Sequence, residues 1–349
     1  MANNIKGKNI LLLCENFYDY DKAIRDELLK MGANMVFLKK ADFLNNIIRS
    51  PKSFNLITFI KSPFKTGRWT RELKKQIKGI HFDLFLCIEN TCFAKSFMKH
   101  LRKHNKDIKT ALFLWDTYST QQGGYKDYRF LFDKVYSFDR DDAMKYGMEY
   151  FPDFYLPFHQ CEEKYEACFI GTANHKSTSH RLHIISKLNR IFVENNINAF
   201  LYVKCDNVFN RKRIKKWFCF RKYINEIRKF QNEGFIYFEP LPLEKVNEIM
   251  ASSQIIIDVN HKNRQGMTLN VISALASGKK LITTNQRIAQ EPFYNPNNIC
   301  IINEYNPVIP KSFLKSKAKP CNLNNLRLDN WLNHILDFSD PTNDQTKSL

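Results

Sequence analysis

Three carboxylates follow short apolar runs and could do acid–base chemistry. Glu15 follows NILLLC, Glu89 follows DLFLCI, and Asp116 follows TALFLW after one aromatic residue, Trp115. Such runs are typical of buried strands, and ligands of open α/β sheets bind beyond the carboxyl ends of the strands. A carboxylate at that edge can take a proton from a hydroxyl group. The alternative for each acid is a helix cap or a solvated loop position.

A second candidate site lies in residues 254–285, where an apolar strand, QIIIDV, runs into Asn260 and His261. A polar loop follows, and then Gly266 and Thr268 open a helix of small and apolar residues. Glycine lets the backbone approach a ligand closely, and Thr268 can cap the helix. Free N–H groups at a helix start bind anions. The alternative is an ordinary strand–loop–helix connection.

Two Asp-x-Asp sequences, at 19–21 and 139–141, have a spacing that can bind a divalent metal. Each precedes a helical stretch, where aspartate caps the N-terminus, so we predict no metal site at either. His159 and His261 are the two histidines that merit testing. The alternative for both is a partly exposed polar residue.

The elements that must position these residues alternate between strand and helix in two successive series, which predicts an α/β fold with doubly wound parallel sheets. A segment with two prolines, 152–165, separates the series and is predicted to be a linker. The spacing of apolar residues predicts a last helix over 326–338. Strands are predicted at 9–14, 34–38, 83–88, 110–114, 134–138, 167–171, 199–204, 235–238, 254–259, 280–284 and 299–302.

The length of 349 residues fits two domains. We predict an N-terminal domain over 1–158, a C-terminal domain over 165–322, a helix over 323–338 that packs back toward the first domain, and a disordered tail over 339–349. A hydrophobic content of 44% and a charged content of 26% are ordinary for a globular protein and exclude a disordered chain, collagen or a coiled-coil rod.

The net charge of +19 indicates an anionic partner: nucleic acid, an acidic membrane face or a phosphorylated ligand. No nucleic-acid-binding module is recognisable, which disfavours nucleic acid. The nine cysteines are scattered without CxxC spacing, as expected of small buried residues in a reducing compartment. No segment reaches about 18 uninterrupted apolar residues. We therefore expect a cytoplasmic protein, peripheral to the inner face of the membrane.

Two basic regions with interleaved aromatic residues, 61–78 and 211–229, suit an anionic lipid surface. A lipid-linked acceptor at the membrane would explain both, and the alternative is a solvated basic surface. The residues predicted to form this membrane or acceptor surface are Trp69, Arg211, Lys212, Arg213, Lys215, Lys216 and Trp217.

Several segments together resemble the GT-B glycosyltransferases of bacterial capsule and lipopolysaccharide biosynthesis. The resemblance covers roughly 110–335 well and the first hundred residues only in architecture. It is most specific over 250–306. The segments that carry it are WDTYSTQQ, FDKVYSFDRDDAMKYG, FIGTA, LPLEKVNEIMASSQIIIDVNH, QGMTLNVISALASGKKLITTN, FYNPNNI and LDNWL.

The resemblance implies two Rossmann-like doubly wound domains that face a cleft, with a C-terminal helix crossing back. The C-terminal domain would bind a nucleotide-diphosphate sugar as a donor substrate, without metal or cofactor, and the N-terminal domain would bind a saccharide or lipid-linked acceptor. The donor-binding residues it implies by position are Gly171, Thr172, Leu241, Gln265, Gly266, Met267 and Thr268. We also predict that Lys204, Asn260, His261 and Ser273 bind the donor.

The implied activity is sugar transfer in surface polysaccharide biosynthesis, and an inverting enzyme would need a general base. Asp116 is the first choice because the neighbouring Trp115 could stack on a sugar, with Glu15 and Glu89 as rivals. The chain departs from the family at two positions: Gln265 and Ser273 stand where many retaining members have glutamates. A non-catalytic sugar-nucleotide or polysaccharide-binding protein on the same fold is therefore the alternative.

Overall fold

The computed structural model describes residues 5–14, 19–40, 67–88, 95–117, 129–159, 161–174, 179–206, 217–261 and 266–339. The chain divides into two compact units. Unit 1 comprises Met1–Pro152 and Asn325–Leu349, and unit 2 comprises Asp153–Asn324. Each unit contains its own parallel sheet and its own buried apolar core.

Unit 1 is built on a parallel sheet with the strand order β2-β1-β3-β4-β5-β6. Its central strands are continuous apolar runs because helices cover both faces of a doubly wound sheet, and Cys14 and Cys87 lie fully buried within them, as expected. The strands are β1 (Asn9–Cys14), β2 (Met35–Lys40), β3 (Leu84–Ile88), β4 (Lys109–Leu114), β5 (Lys134–Ser137) and β6 (Glu149–Tyr150).

The helices described in unit 1 are α1 (Tyr20–Lys30), α2 (67–76), α3 (Ser96–His104), α4 (Arg140–Tyr146) and α10 (Leu328–Ile335). Helix α10, shorter than its predicted extent, buries the apolar stripe that the sequence spacing predicts. Trp331 is fully buried, donates from Nε1 to the carbonyl of Pro152 at 2.9 Å, and packs edge-on against Phe113. These contacts attach the C-terminal helix to the core of unit 1.

Unit 2 has the strand order β12-β11-β10-β7-β8-β9, so the chain reverses its direction of winding between β7 and β10. Its strands are β7 (Tyr165–Ala173), β8 (Ala199–Cys205), β9 (Ile236–Tyr237), β10 (Ser253–Asp258), β11 (Lys280–Thr283) and β12 (Ile299–Ile301). Its helices are α5 (His180–Glu194), α6 (Trp217–Phe230), α7 (Leu243–Ala251), α8 (Leu269–Ala276) and α9 (Lys311–Lys315).

The segment predicted to be a linker is ordered and partly buried. Asp153 and Phe154 are almost completely covered, and the backbone N–H groups of Leu156 and Phe158 donate to hydroxyl groups at the α8 helix. The two units consequently divide after Pro152, six residues before the end of the first domain expected from sequence. The expected disordered tail lies outside the described residues from 340 onward.

Candidate functional site

The reversal point of the unit 2 sheet is bridged by one guanidinium group. Arg181, in the first turn of α5, donates through Nη1 to the carbonyl of Thr172 at 2.9 Å. Its Nε and Nη2 donate to the carbonyl of Val259 at 2.9 and 2.6 Å. Arg181 therefore joins the carboxyl ends of β7 and β10 and places a positive charge at the edge where open α/β sheets bind ligands.

The backbone after β10 is held from both sides. The N–H of Asn260 donates to Oγ1 of Thr284 at 2.9 Å, and Nε2 of His180 lies 3.0 Å from the carbonyl oxygen of Asn260. Because a carbonyl only accepts, His180 carries its hydrogen on Nε2 in this contact. Helix α5 and the residue that follows β11 thus hold the backbone of Asn260, and the half-buried His261 comes directly after it.

One carboxylate lies inside this network. Asp258, at the end of β10, accepts a hydrogen bond from Oγ1 of Thr283 at 2.9 Å. Burial raises the pKa of the Asp258 carboxyl, and the Thr283 hydroxyl and the Arg181 charge oppose that rise. Asp258 is tied to the neighbouring strand, so it belongs to the support of the site.

At the start of α8, an extended N-cap residue precedes two N–H groups that do not donate to any of the described residues. Thr268 occupies the N-cap position but its side chain makes no capping hydrogen bond, contrary to expectation. Within the described residues no acceptor faces the N–H groups of Leu269 and Asn270, the first two of the helix. The side chain of Met267 is buried, so only its backbone is available to a ligand. These features fit the anion site predicted from sequence.

The first strands of unit 2 add a row of side chains at the same edge. Thr172 lies opposite Lys204, and Lys204 lies opposite Tyr237, in the parallel register of β7, β8 and β9. Side chains at matched positions share a face of the sheet, so Thr172 and Lys204 stand side by side. Thr172 is exposed and Lys204 is half-exposed. Leu241 is half-buried in the loop that follows β9.

At two predicted donor-binding positions, Gly171 and Ser273, contacts inside unit 2 bear on the residue that is present. A Cβ atom on Gly171 would lie 2.6 Å from the ring of Phe169, so any larger residue would require this buried ring to shift. Ser273 is buried in α8, and its Oγ accepts from the N–H of Leu156 at 3.3 Å. That burial argues against the predicted donor contact of Ser273. Gly266 is buried directly before α8, and Gln265 lies outside the described residues.

In unit 1, Asp116 stands half-buried just beyond β4, next to Trp115, whose ring meets Tyr20 edge-on at 6.4 Å. Its rivals Glu15 and Glu89 lie outside the described residues. The strands that precede the three acids are aligned, with Cys14 paired with Ile88 and Ile88 paired with Phe113. Their catalytic roles remain predictions.

The two Asp-x-Asp sequences differ in their local structure. Asp139 caps α4, accepting from the N–H groups of Asp141 and Asp142 at 3.0 and 3.1 Å, as predicted. Asp19 stands at the N-cap of α1, but its side chain does not cap the helix and instead pairs with Lys22 at 2.8 Å. The prediction of a side-chain cap at Asp19 is therefore wrong.

The prediction that Trp69 belongs to a membrane or acceptor surface is wrong. Its side chain is only 7% exposed and packs in the core of unit 1, because α2 turns that side toward the sheet. Trp217 opens α6, but its side chain is not among those that the structure describes. Outside the described residues lie Arg211, Lys212, Arg213, Lys215 and Lys216.

Sequence reasoning missed His180 and Arg181. Cations at the N-terminus of a helix oppose the helix dipole, and the first turn of α5 contains no acid to balance them. A basic pair at a helix N-terminus therefore indicates that its side chains bind groups outside the helix. Here the two side chains bind backbone carbonyls at the ends of β7 and β10 and in the chain that follows β10.

Comparison with known proteins identifies the fold. No family model matches the sequence, and no curated protein sequence matches it. Among solved structures, the UDP-forming α,α-trehalose-phosphate synthases of Burkholderia vietnamiensis and Burkholderia xenovorans are similar, with TM-scores of 0.57 and 0.55. Both are 10% identical over 86% of this chain, and the match covers 87% and 88% of their chains.

A third similar structure is the N-terminal domain of Candida albicans trehalose-6-phosphate phosphatase, with a TM-score of 0.53 and 10% identity over 94% of this chain and 89% of that domain. Each unit therefore has the parallel α/β sheet that the resemblance predicts, and the fold is of the GT-B type. None of the helices in the described part of the chain is long and apolar enough to cross a membrane.

Proposed function

We propose that this chain is a metal-independent glycosyltransferase that uses a nucleotide-diphosphate sugar to extend a surface polysaccharide, lipopolysaccharide or capsule. The observation that carries the proposal is the Arg181 bridge between the ends of β7 and β10. The cationic Lys204 and the first N–H groups of α8 belong to the same edge of the sheet. Cations and free N–H groups are what a diphosphate requires.

The chemistry assigned to unit 2 is stabilisation of the leaving group. As the bond between the anomeric carbon and the diphosphate oxygen breaks, negative charge grows on the diphosphate. Lys204, the Arg181 charge and the N–H groups at the start of α8 would bind that charge without needing to reorganise. The similarity in fold to two UDP-forming synthases supports a nucleotide donor.

The chemistry assigned to unit 1 is acceptor binding and, in an inverting reaction, general-base catalysis by Asp116. The carboxylate would take the proton of the acceptor hydroxyl as the new glycosidic bond forms. The proposed acceptor is a saccharide or lipid-linked saccharide, and the net charge of +19 supports peripheral contact with an anionic membrane.

The experiment is a thermal-shift panel with UDP, GDP, CMP and ADP and their sugars, followed by transfer assays of the responding donor with EDTA present. We expect one nucleotide class to raise the melting temperature and transfer to persist in EDTA. Strict dependence on added Mg²⁺ or Mn²⁺ would refute the metal-free mechanism.

Two variants test the assigned roles. Asp116→Asn should lower kcat far more than donor affinity if Asp116 is the base. Asp107→Asn is its matched control, because Asp107 is exposed in the turn before the same strand. Equal turnover in Asp116→Asn and wild type would remove the assignment. Thr268→Val should weaken binding of the nucleoside diphosphate, which calorimetry measures.

The alternative is a non-catalytic sugar-nucleotide or polysaccharide-binding protein. Its support is that Gln265 and the buried Ser273 replace two carboxylates of the retaining pattern. Nucleotides that raise the melting temperature without any detectable transfer or hydrolysis, across a panel of sugars and acceptors, would favour this function.

A further inference from the structure

One layer of unit 1 is held together as a single surface by helices α2 and α3 and the turn at 129–131. Their apolar sides share one core, and Nζ of Lys74 lies 3.4 Å from Oγ of Ser96, between the two helices. Arg102 of α3 donates to the carbonyl of Leu131 at 3.1 Å and pairs with Asp133 at 2.9 Å. We call the outer side of this layer the basic face.

The basic face is almost free of acids. Glu72 is the one acid in residues 67–78 and 95–104, and it accepts a hydrogen bond from Gln76. Asp133, beside the turn, is paired with Arg102. The exposed cationic side chains of the face are Arg68, Arg71, Lys75, Lys78, Lys95, Lys99 and Lys103.

A pair of histidines lies among the cations of the face. The rings of His100 and His104 lie 4.2 Å apart, and Nδ1 of His104 lies 2.8 Å from the carbonyl oxygen of His100. The pKa of His100 is lowered, first by burial and then by the neighbouring His104, Lys74 and Lys103. An anionic surface would relieve this repulsion.

An apolar side chain, that of Phe130, is exposed to solvent at the edge of the basic face. Phe130 is 76% exposed, and the guanidinium of Arg129 lies 4.5 Å from the centre of its ring. Arg129 also donates to the carbonyl of Tyr146, which fixes the turn against the end of α4. An exposed aromatic ring among cations is typical of proteins that lie at the boundary between headgroups and lipid chains.

We propose that the basic face is the surface by which unit 1 docks on an anionic lipid bilayer. The charge selects acidic headgroups, and Phe130 inserts between them. A lipid surface fits better than nucleic acid because the strongly exposed ring of Phe130 stands at the edge of the face, where it can enter an apolar layer. The inference adds a location to the membrane contact of the proposed function. It rests on the proposed function only for what that contact is used for.

The test is co-sedimentation of the full chain with vesicles of phosphatidylcholine alone or with 30% phosphatidylglycerol. We expect binding only to the anionic vesicles. Each basic residue near such a surface contributes about fivefold to binding, so the double variant Lys99→Glu, Lys103→Glu should bind at least tenfold more weakly. Phe130→Ala should also lower binding, and that loss should persist at high salt, where charge is screened.

The matched control changes the same charge elsewhere. Lys311→Glu, Lys317→Glu alters two exposed lysines of unit 2 and should keep most of the binding. Equal loss in both double variants would overturn the proposal, as would equal binding to neutral vesicles. So would tighter binding of the wild type to RNA or DNA, lost in the Lys99 and Lys103 variant. Unchanged melting temperatures check that the variants fold.

A parallel measurement separates this proposal from the proposed function. Vesicle binding needs no nucleotide, and the nucleotide thermal shift needs no vesicle. If no nucleotide shifts the wild type but the basic face binds anionic vesicles, the proposed function fails and the docking surface stands. If nucleotides act as expected and Lys99→Glu, Lys103→Glu still binds vesicles fully, the docking surface fails alone.

Discussion

Replacement of Arg181 by methionine tests whether the guanidinium bridge organises the candidate donor site. The variant keeps an unbranched apolar side chain in place of the arginine stem but leaves the carbonyls of Thr172 and Val259 without their donor. A hydrogen bond from a charged group contributes about 1.5–3 kcal/mol, and water reaches part of this half-exposed side chain, so we expect a loss of about 2 kcal/mol in total. For a unit of the size of unit 2, which contains Arg181, that corresponds to a fall in melting temperature of about 4–8 °C.

The assay combines differential scanning calorimetry with titration of the nucleoside diphosphate that stabilises the wild type. We expect the Arg181→Met variant to melt earlier and to bind that nucleotide at least fivefold more weakly, because the positive charge is lost from the edge of the sheet. Arg181→Lys should recover part of the affinity, since it keeps the charge without the planar fork.

Arg190→Met is the matched control. Arg190 lies on the same helix, its side chain is 69% exposed, and its weak pairing with Glu233 spans 3.9 Å. Loss of such a surface pair costs less than about 1 kcal/mol. Indistinguishable melting temperatures and nucleotide affinities for the Arg181 and Arg190 variants would refute the reasoning.

Three further predictions concern buried polar groups. Lys280→Met removes an ammonium that donates to three backbone carbonyls around the end of α9, and should cost about 2 kcal/mol in urea unfolding; no loss would contradict the assigned anchor. Trp331→Phe keeps an aromatic ring but leaves the carbonyl of Pro152 without its donor, and should lower the free energy of unfolding by about 1–2 kcal/mol. Trp331→Ala should lower it by about 3–5 kcal/mol. Burial raises the pKa of Asp258, so wild-type stability falls as pH rises from the ordinary carboxyl pKa through the raised value. The Asp258→Asn variant has no carboxyl group to ionise, so the difference in melting temperature between variant and wild type should shift in favour of the variant as pH rises. A difference that does not change with pH would contradict the raised pKa of Asp258.

The apolar runs and the breaks between them predicted every strand of both sheets except β6, whose two residues, Glu149 and Tyr150, are too few to form such a run. Strands buried on both faces must be continuously apolar, so Asn9–Cys14 and Ser253–Asp258 were readable without tertiary information. The N-cap role of Asp139 and the apolar stripe of α10 were readable for the same reason, because both are set by residues close in sequence.

The errors arose where one residue type suits two environments. Tryptophan serves equally at a membrane surface and in a core, and only the orientation of α2 decided that Trp69 is buried. The predicted linker contains two prolines and an acidic polar run, yet its backbone N–H groups donate to serine hydroxyls at α8, a helix more than a hundred residues away. Such partners depend on the packed fold and leave no local trace.

The sequence by itself determined that the chain folds into parallel sheets, and where glycine and threonine open the helix after β10, because periodicity and turn chemistry are local properties. The tertiary structure alone decided which polar groups meet. The carbonyls of Thr172 and Val259 are far apart along the chain, and they share one guanidinium only because β7 and β10 are neighbours at the point where the sheet reverses. Strand order is a property of long-range packing, and it creates this site.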